Sequence, residues 1–63
     1  MIKFTPEMLR KLADDIEHNH KYHNMCNYVE LSIKHHVNGK EYAEFEQPCM
    51  YAECFSTFHR FDE

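Results

Sequence analysis

Tyr28-Val-Glu-Leu-Ser-Ile-Lys-His-His-Val-Asn-Gly-Lys-Glu-Tyr-Ala-Glu-Phe-Glu-Gln47 is the stretch whose reading decides the fold. Val29, Leu31, Ile33, His35 and Val37 alternate with Tyr28, Glu30, Ser32, Lys34 and His36, the period of a strand with one dry face and one wet face. Asn38-Gly39 then supplies the strongest short-range hairpin turn signal. A two-residue turn would pair Ile33 with Glu44 and Leu31 with Glu46, which sets carboxylates against the apolar face. A three-residue loop, Val37-Asn38-Gly39 with Gly39 left-handed, instead pairs Ile33 with Ala43 and Leu31 with Phe45. A slip of one residue inverts every side chain, so the bulged turn is the expected one. Tyr42, Glu44 and Glu46 then share the outer face with Glu30, Ser32 and Lys34.

The flanks extend this hairpin at both ends. Met1 to Phe4 is a short apolar lead, either an edge strand or a staple against the first helix. Thr5-Pro6-Glu7 is a helix start: a hydroxyl cap, a proline where its missing N–H costs nothing, and an acid near the positive end of the dipole. Met8, Leu9, Leu12, Ala13 and Ile16 recur at helical spacing, with Arg10, Lys11, Asp14, Asp15 and Glu17 on the opposite side, which predicts a helix from Pro6 to about Tyr22. Pro48 ends the second strand. Over residues 49–61 a helix would gather Tyr51, Cys54, Phe55, Phe58 and Phe61 on one stripe, whereas a strand read from Tyr51 segregates its apolar residues poorly. The expected fold is therefore α+β, an αββα arrangement of N-terminal helix, antiparallel hairpin and C-terminal amphipathic helix, with a third strand in place of the last helix as the alternative. Residues 1–63 form a single small domain.

Composition narrows the function. A chain of 63 residues buries only about 60% of its extended surface, so its core is small and a homodimer, a metal or a partner would support it. No apolar run is long enough to span a membrane and no signal peptide opens the chain, which reads as soluble and cytoplasmic. Three cysteines, an odd number, fit a reducing compartment better than a disulfide framework. Residues 1–40 carry six Lys/Arg against five Asp/Glu, and residues 41–63 carry one Arg against six acids, so the net charge of −4 resides in the C-terminal part. That balance opposes direct contact with a phosphate backbone and favours a basic partner.

Six histidines and three cysteines raise the question of metal. Cys26, Cys49, Cys54 and His59 are ligand types that zinc accepts, and they form the alternative reading, a zinc-stabilised structural domain. The spacing lacks the tight Cys-x2-Cys knuckle, and one helix could not aim Cys49, Cys54 and His59 at one ion, so thiols packed at element boundaries are the simpler account and no cofactor is expected. His20 and His23 extend the apolar side of the first helix toward its C-terminus, where they cap and pack, and histidines here make stability or binding responsive between about pH 5 and 8. Catalysis finds no support: there is no phosphate loop, no dinucleotide fingerprint, no glycine elbow around Ser56 or Thr57, and Asp14-Asp15 lies on a solvated helix face. The chain is expected not to be an enzyme.

What remains is surface. Tyr28, Glu30, Tyr42, Glu44 and Glu46 combine aromatic anchors with carboxylates on the outer hairpin face, a composition suited to a basic protein partner. In its size, its acidic balance, the lead Thr-Pro-Glu-Met-Leu-Arg-Lys-Leu-Ala-Asp-Asp-Ile-Glu and the hairpin that follows, the chain resembles small acidic anti-defence proteins encoded by bacteriophages, anti-CRISPR proteins among them. That resemblance implies an inhibitor in the host bacterial cytoplasm that plugs a basic nucleic-acid-binding surface of a host protein or ribonucleoprotein defence complex. It assigns no individual residue.

Overall fold

The computed structural model describes all 63 residues, as a helix α1 (Pro6–Tyr22) followed by three strands, β1 (Glu30–His35), β2 (Glu41–Gln47) and β3 (Thr57–Asp62). The strands form one antiparallel sheet in the order β1-β2-β3.

α1 starts where its cap dictates. The Thr5 hydroxyl accepts from the Met8 N–H at 3.2 Å, and Pro6 occupies the first turn. At the other end the His23 N–H returns to the Asn19 carbonyl at 2.9 Å, and Asn24 reverses the chain at φ 59°, a left-handed conformation that asparagine tolerates better than most residues. His20 completes this corner, its Nδ1 2.7 Å from the Met25 carbonyl oxygen, in keeping with a capping histidine.

The hairpin follows the alternation and the turn chemistry. Ile33 pairs with Ala43 and Leu31 with Phe45. The Gly39 N–H donates to the His36 carbonyl at 2.9 Å and the His36 N–H donates to the Lys40 carbonyl at 2.8 Å, a type I turn closed by a bulge, with Gly39 at φ 87°. Asn38 Oδ1 accepts from the Lys40 N–H at 3.0 Å and steadies the loop.

The last segment corrects the expected C-terminal helix. Residues 50–54 turn, Cys49 and Cys54 are joined in a disulfide with their Cα atoms 5.9 Å apart, and the chain then runs as β3 along the free side of β2. A helix would have left β2 with an unpaired edge, and Thr57-Phe-His-Arg-Phe-Asp62 is short, aromatic and β-branched, as strand residues are. Its half-buried and exposed residues alternate: Thr57, His59 and Phe61 face inward, and Phe58, Arg60 and Asp62 outward. The apolar stripe expected of a helix is therefore split between two faces. The disulfide likewise corrects the expectation of three free thiols, because only Cys26 remains free.

α1 is tied to the inner face of the sheet at the end of β2 and borders β3. Leu12, Met25, Ala43 and Gln47 are buried, and Gln47 is the one large side chain with no solvent exposure. Its amide donates to the carbonyls of Ile16 at 2.9 Å and Cys26 at 2.8 Å, and its Oε1 accepts from Asn19 Nδ2 at 3.1 Å, so one side chain ties helix, loop and sheet together. Phe4 of the lead is no strand: it packs edge-on against Phe45 and Phe61, with ring centres 5.8 and 5.5 Å away. Since the second helix does not exist, nothing covers the inner face of β1, where Leu31 and Ile33 stay 54% and 50% exposed. The result is a flat molecule of 35 × 26 × 11 Å, with a radius of gyration of 12.7 Å, against about 10.6 Å for a compact domain of this length.

Candidate protein-interaction face

The sheet pairing arranges the outer face in rows. Glu30, Glu46 and Phe58 form one row, Ser32, Glu44 and Arg60 the next, and Lys34, Tyr42 and Asp62 the third. Side chains directly opposite one another lie within about 5.5 Å at Cβ, so each row is an interacting set.

The second and third rows satisfy themselves. Lys34 Nζ reaches Glu44 Oε1 at 2.7 Å, and this contact raises the lysine above its ordinary pKa. The Glu44 side chain is left 17% exposed. Tyr42 lies between the His36 ring, 4.5 Å away, and the Arg60 guanidinium, 4.3 Å from its ring centre. The Tyr42 side chain beside it raises Arg60 as well. His36 Nε2 meets Asp62 Oδ1 at 2.9 Å. Cations and carboxylates alternate here, and Glu44 and Tyr42 are engaged within the chain.

The first row is different. Glu30 stands directly opposite Glu46, and neither forms an ion pair. Glu46 accepts a hydrogen bond from the Ser56 hydroxyl at 2.7 Å, which positions the carboxylate without cancelling its charge. Phe58 continues the row at 55% exposure, and Phe55, at 91%, lies close by in the chain. Tyr28 lies two residues before β1, half-exposed, with its hydroxyl raised above the ordinary 10.0, chiefly by the Cys26 sulfur beside it. The outer face thus has a neutralised half and an acidic, aromatic half. No protein-family model, curated protein or solved structure matches the chain.

Of the five residues singled out from the sequence, Glu30, Tyr42, Glu44 and Glu46 share this face, but only Glu30 and Glu46, together with the neighbouring Tyr28, are free to meet a partner. Sequence reasoning placed Phe58 in a helical core stripe and so missed it. The signal that would have found it is the alternation of Thr57–Asp62 read from Thr57 rather than from Tyr51.

The alternative zinc ligands do not converge. Cys49 and Cys54 are bonded to each other, Cys26 is free, and His59 points to the inner face opposite Phe45, with its Nε2 enclosed and without a partner. No three His, Cys, Asp or Glu side chains gather in metal-binding proximity. No helix is long and apolar enough to cross a membrane.

Proposed function

We propose that the chain is a non-catalytic protein-binding module that presents the row Glu30–Glu46–Phe58, with Tyr28 beside it, to a basic surface of a partner. The observation that carries this reading is the like-charged pair Glu30–Glu46, held face to face beside an exposed phenylalanine. Directly opposed like charges weaken a sheet, and a large exposed aromatic adds apolar surface that water does not reward. A partner that brings Arg or Lys over the carboxylates and packs an apolar group on Phe58 offsets both. Such a partner is a surface built to hold nucleic acid, where cations are already clustered. The reading therefore keeps the inhibitor role that the resemblance to anti-defence proteins implies, with a host nucleic-acid-binding protein or ribonucleoprotein as the target.

The test is capture from bacterial lysate by the tagged chain, alongside E46K and F58S variants whose folding is checked by circular dichroism. A nucleic-acid-binding complex retained by the wild type, released by competing nucleic acid and lost with both variants is the expected result. Retention unchanged in both variants refutes the assignment.

A further inference from the structure

The β1 edge is unprotected. All six of its residues are exposed, and it carries no proline and no bulge within the strand. The hairpin bond from the His36 N–H to the Lys40 carbonyl sets the ladder's phase, so Glu30, Ser32 and Lys34 direct their backbone groups at β2. The N–H and C=O groups of Leu31, Ile33 and His35 therefore point to the open edge. On the inner face of the same strand, Leu31 and Ile33 are half-exposed because no element reaches them. The other edge strand, β3, has its inward residues at least half-covered.

The exposed surface as a whole exceeds that of an average monomer of this mass. The chain exposes 4942 Å² at 7.7 kDa, about 600 Å² more than the roughly 4,300 Å² usual for that mass. The excess approaches the ~800 Å² that each partner contributes to a standard interface.

The charges name the occupant. Glu30-Leu-Ser-Ile-Lys34 has opposite charges placed symmetrically about Ser32, with an apolar residue on each side of the serine. An antiparallel copy related by a two-fold axis at Ser32 sets Glu30 opposite Lys34 of the second copy, and Leu31 opposite its Ile33. Moving the axis to Leu31 leaves both charges unmatched, moving it to Ile33 leaves Lys34 unmatched and sets Glu30 against His36, which Asp62 already engages, and the registers in between put apolar side chains on the outer face. We propose that β1 binds β1 of a second copy of this chain in that register, forming a continuous six-stranded sheet. Leu31 and Ile33 of facing strands then exchange their free backbone bonds, and Leu31 and Ile33 of both copies make one apolar strip on the inner face. Each Lys34 comes to lie between its own Glu44 and Glu30 of the other copy. Glu46 and Phe58, on the central and far strands, remain outside this contact.

Sedimentation equilibrium tests the proposal from about 1 µM to about 1 mM, the range in which a small interface associates. The wild type is expected to pass from 7.7 kDa to twice that mass. E30K faces Lys34 of the other copy with a like charge, yet it meets Glu46 in its own chain favourably, so the fold is kept. K34E creates the converse clash. Each variant alone should dimerise at least about tenfold more weakly, because two cross-strand pairs change sign in every dimer. Mixed in equal amounts they should associate again, since both pairs are then of opposite charge. If K34E unfolds through loss of Glu44, I33K substitutes for it as a charged edge residue that abolishes pairing. A wild type that stays at 7.7 kDa throughout, or a dimer indifferent to both E30K and I33K, overturns the proposal.

Discussion

Replacing Gln47 with alanine is expected to destabilise this protein more than any surface change, and its cost can be worked from the contacts. The side chain has no solvent exposure and makes three hydrogen bonds, two donated to the carbonyls of Ile16 and Cys26 and one accepted from Asn19. At about 1 kcal/mol net each, their loss totals about 3 kcal/mol, before any cavity is counted. A domain of this length holds only about 3–9 kcal/mol in all. Q47A should therefore lower the urea midpoint by about 2–3 M at the usual small-protein slope of about 1 kcal/mol per M, and the Tm by roughly 12–24 °C. N19A removes a single bond and should cost about 1 kcal/mol. The double variant should be scarcely worse than Q47A, because the Asn19 bond is already gone. Q47E keeps the shape while turning a two-proton donor into an acceptor facing two carbonyls, so at neutral pH it should resemble the alanine variant despite full packing. A Q47A midpoint shift below about 0.5 M would show that the helix is held to the sheet by something other than this amide.

Further outcomes follow from single contacts. T5A removes the cap on the Met8 N–H and should cost about 1 kcal/mol in thermal unfolding. G39A meets no atom within 4 Å, so its penalty is that of a left-handed backbone alone, about 1 kcal/mol, and G39N should recover part of it. F45A opens the cluster formed with Phe4 and Phe61, and about 3–5 kcal/mol is enough to leave the chain largely unfolded in circular dichroism at 37 °C. Lys34 is raised in the folded state by Glu44, so its stabilising contact is complete at neutral pH and is lost as pH rises through a value above 10.5. K34M should flatten the stability-against-pH curve in that alkaline range.

The legible parts of the fold were those where several local signals agree. For α1, the cap, the proline, the acid and the 3.6-residue pattern all coincide, and the helix runs from Pro6 to Tyr22. In the hairpin, alternation on both strands leaves only the bulged turn consistent with an apolar inner face, and Ile33 does oppose Ala43. Residues 49–61 carried conflicting signals. The helical stripe from Tyr51 to Phe61 is real as a pattern, but the Cys49–Cys54 disulfide consumes its first turn and the open edge of β2 rewards pairing in the second. That is long-range information, absent from any window of neighbouring residues. Gln47 shows the same limit. The alternation puts it on the inner face with Ala43 and Phe45, but only the approach of α1 and the Met25–Cys26 corner makes it the most buried polar side chain.

The missing helix also determines what the surface can do. Two helices would have covered the sheet's inner face and left one solvated face for any partner. With one helix, tied to the end of β2, the inner side of β1 stays bare while the outer face keeps an unmatched carboxylate pair. These two features meet at Glu30, which faces Glu46 within the chain and borders the open edge. Pairing β1 with a second β1 places a lysine beside one of the two carboxylates and closes the apolar gap. Glu46 remains beside Phe58, still without a cation, on the face that a basic partner would occupy. Self-association and partner capture thus share Glu30 but otherwise draw on different strands, β1 for the first and β2 and β3 for the second, so a variant of Phe58 should disturb partner capture while leaving the dimer intact.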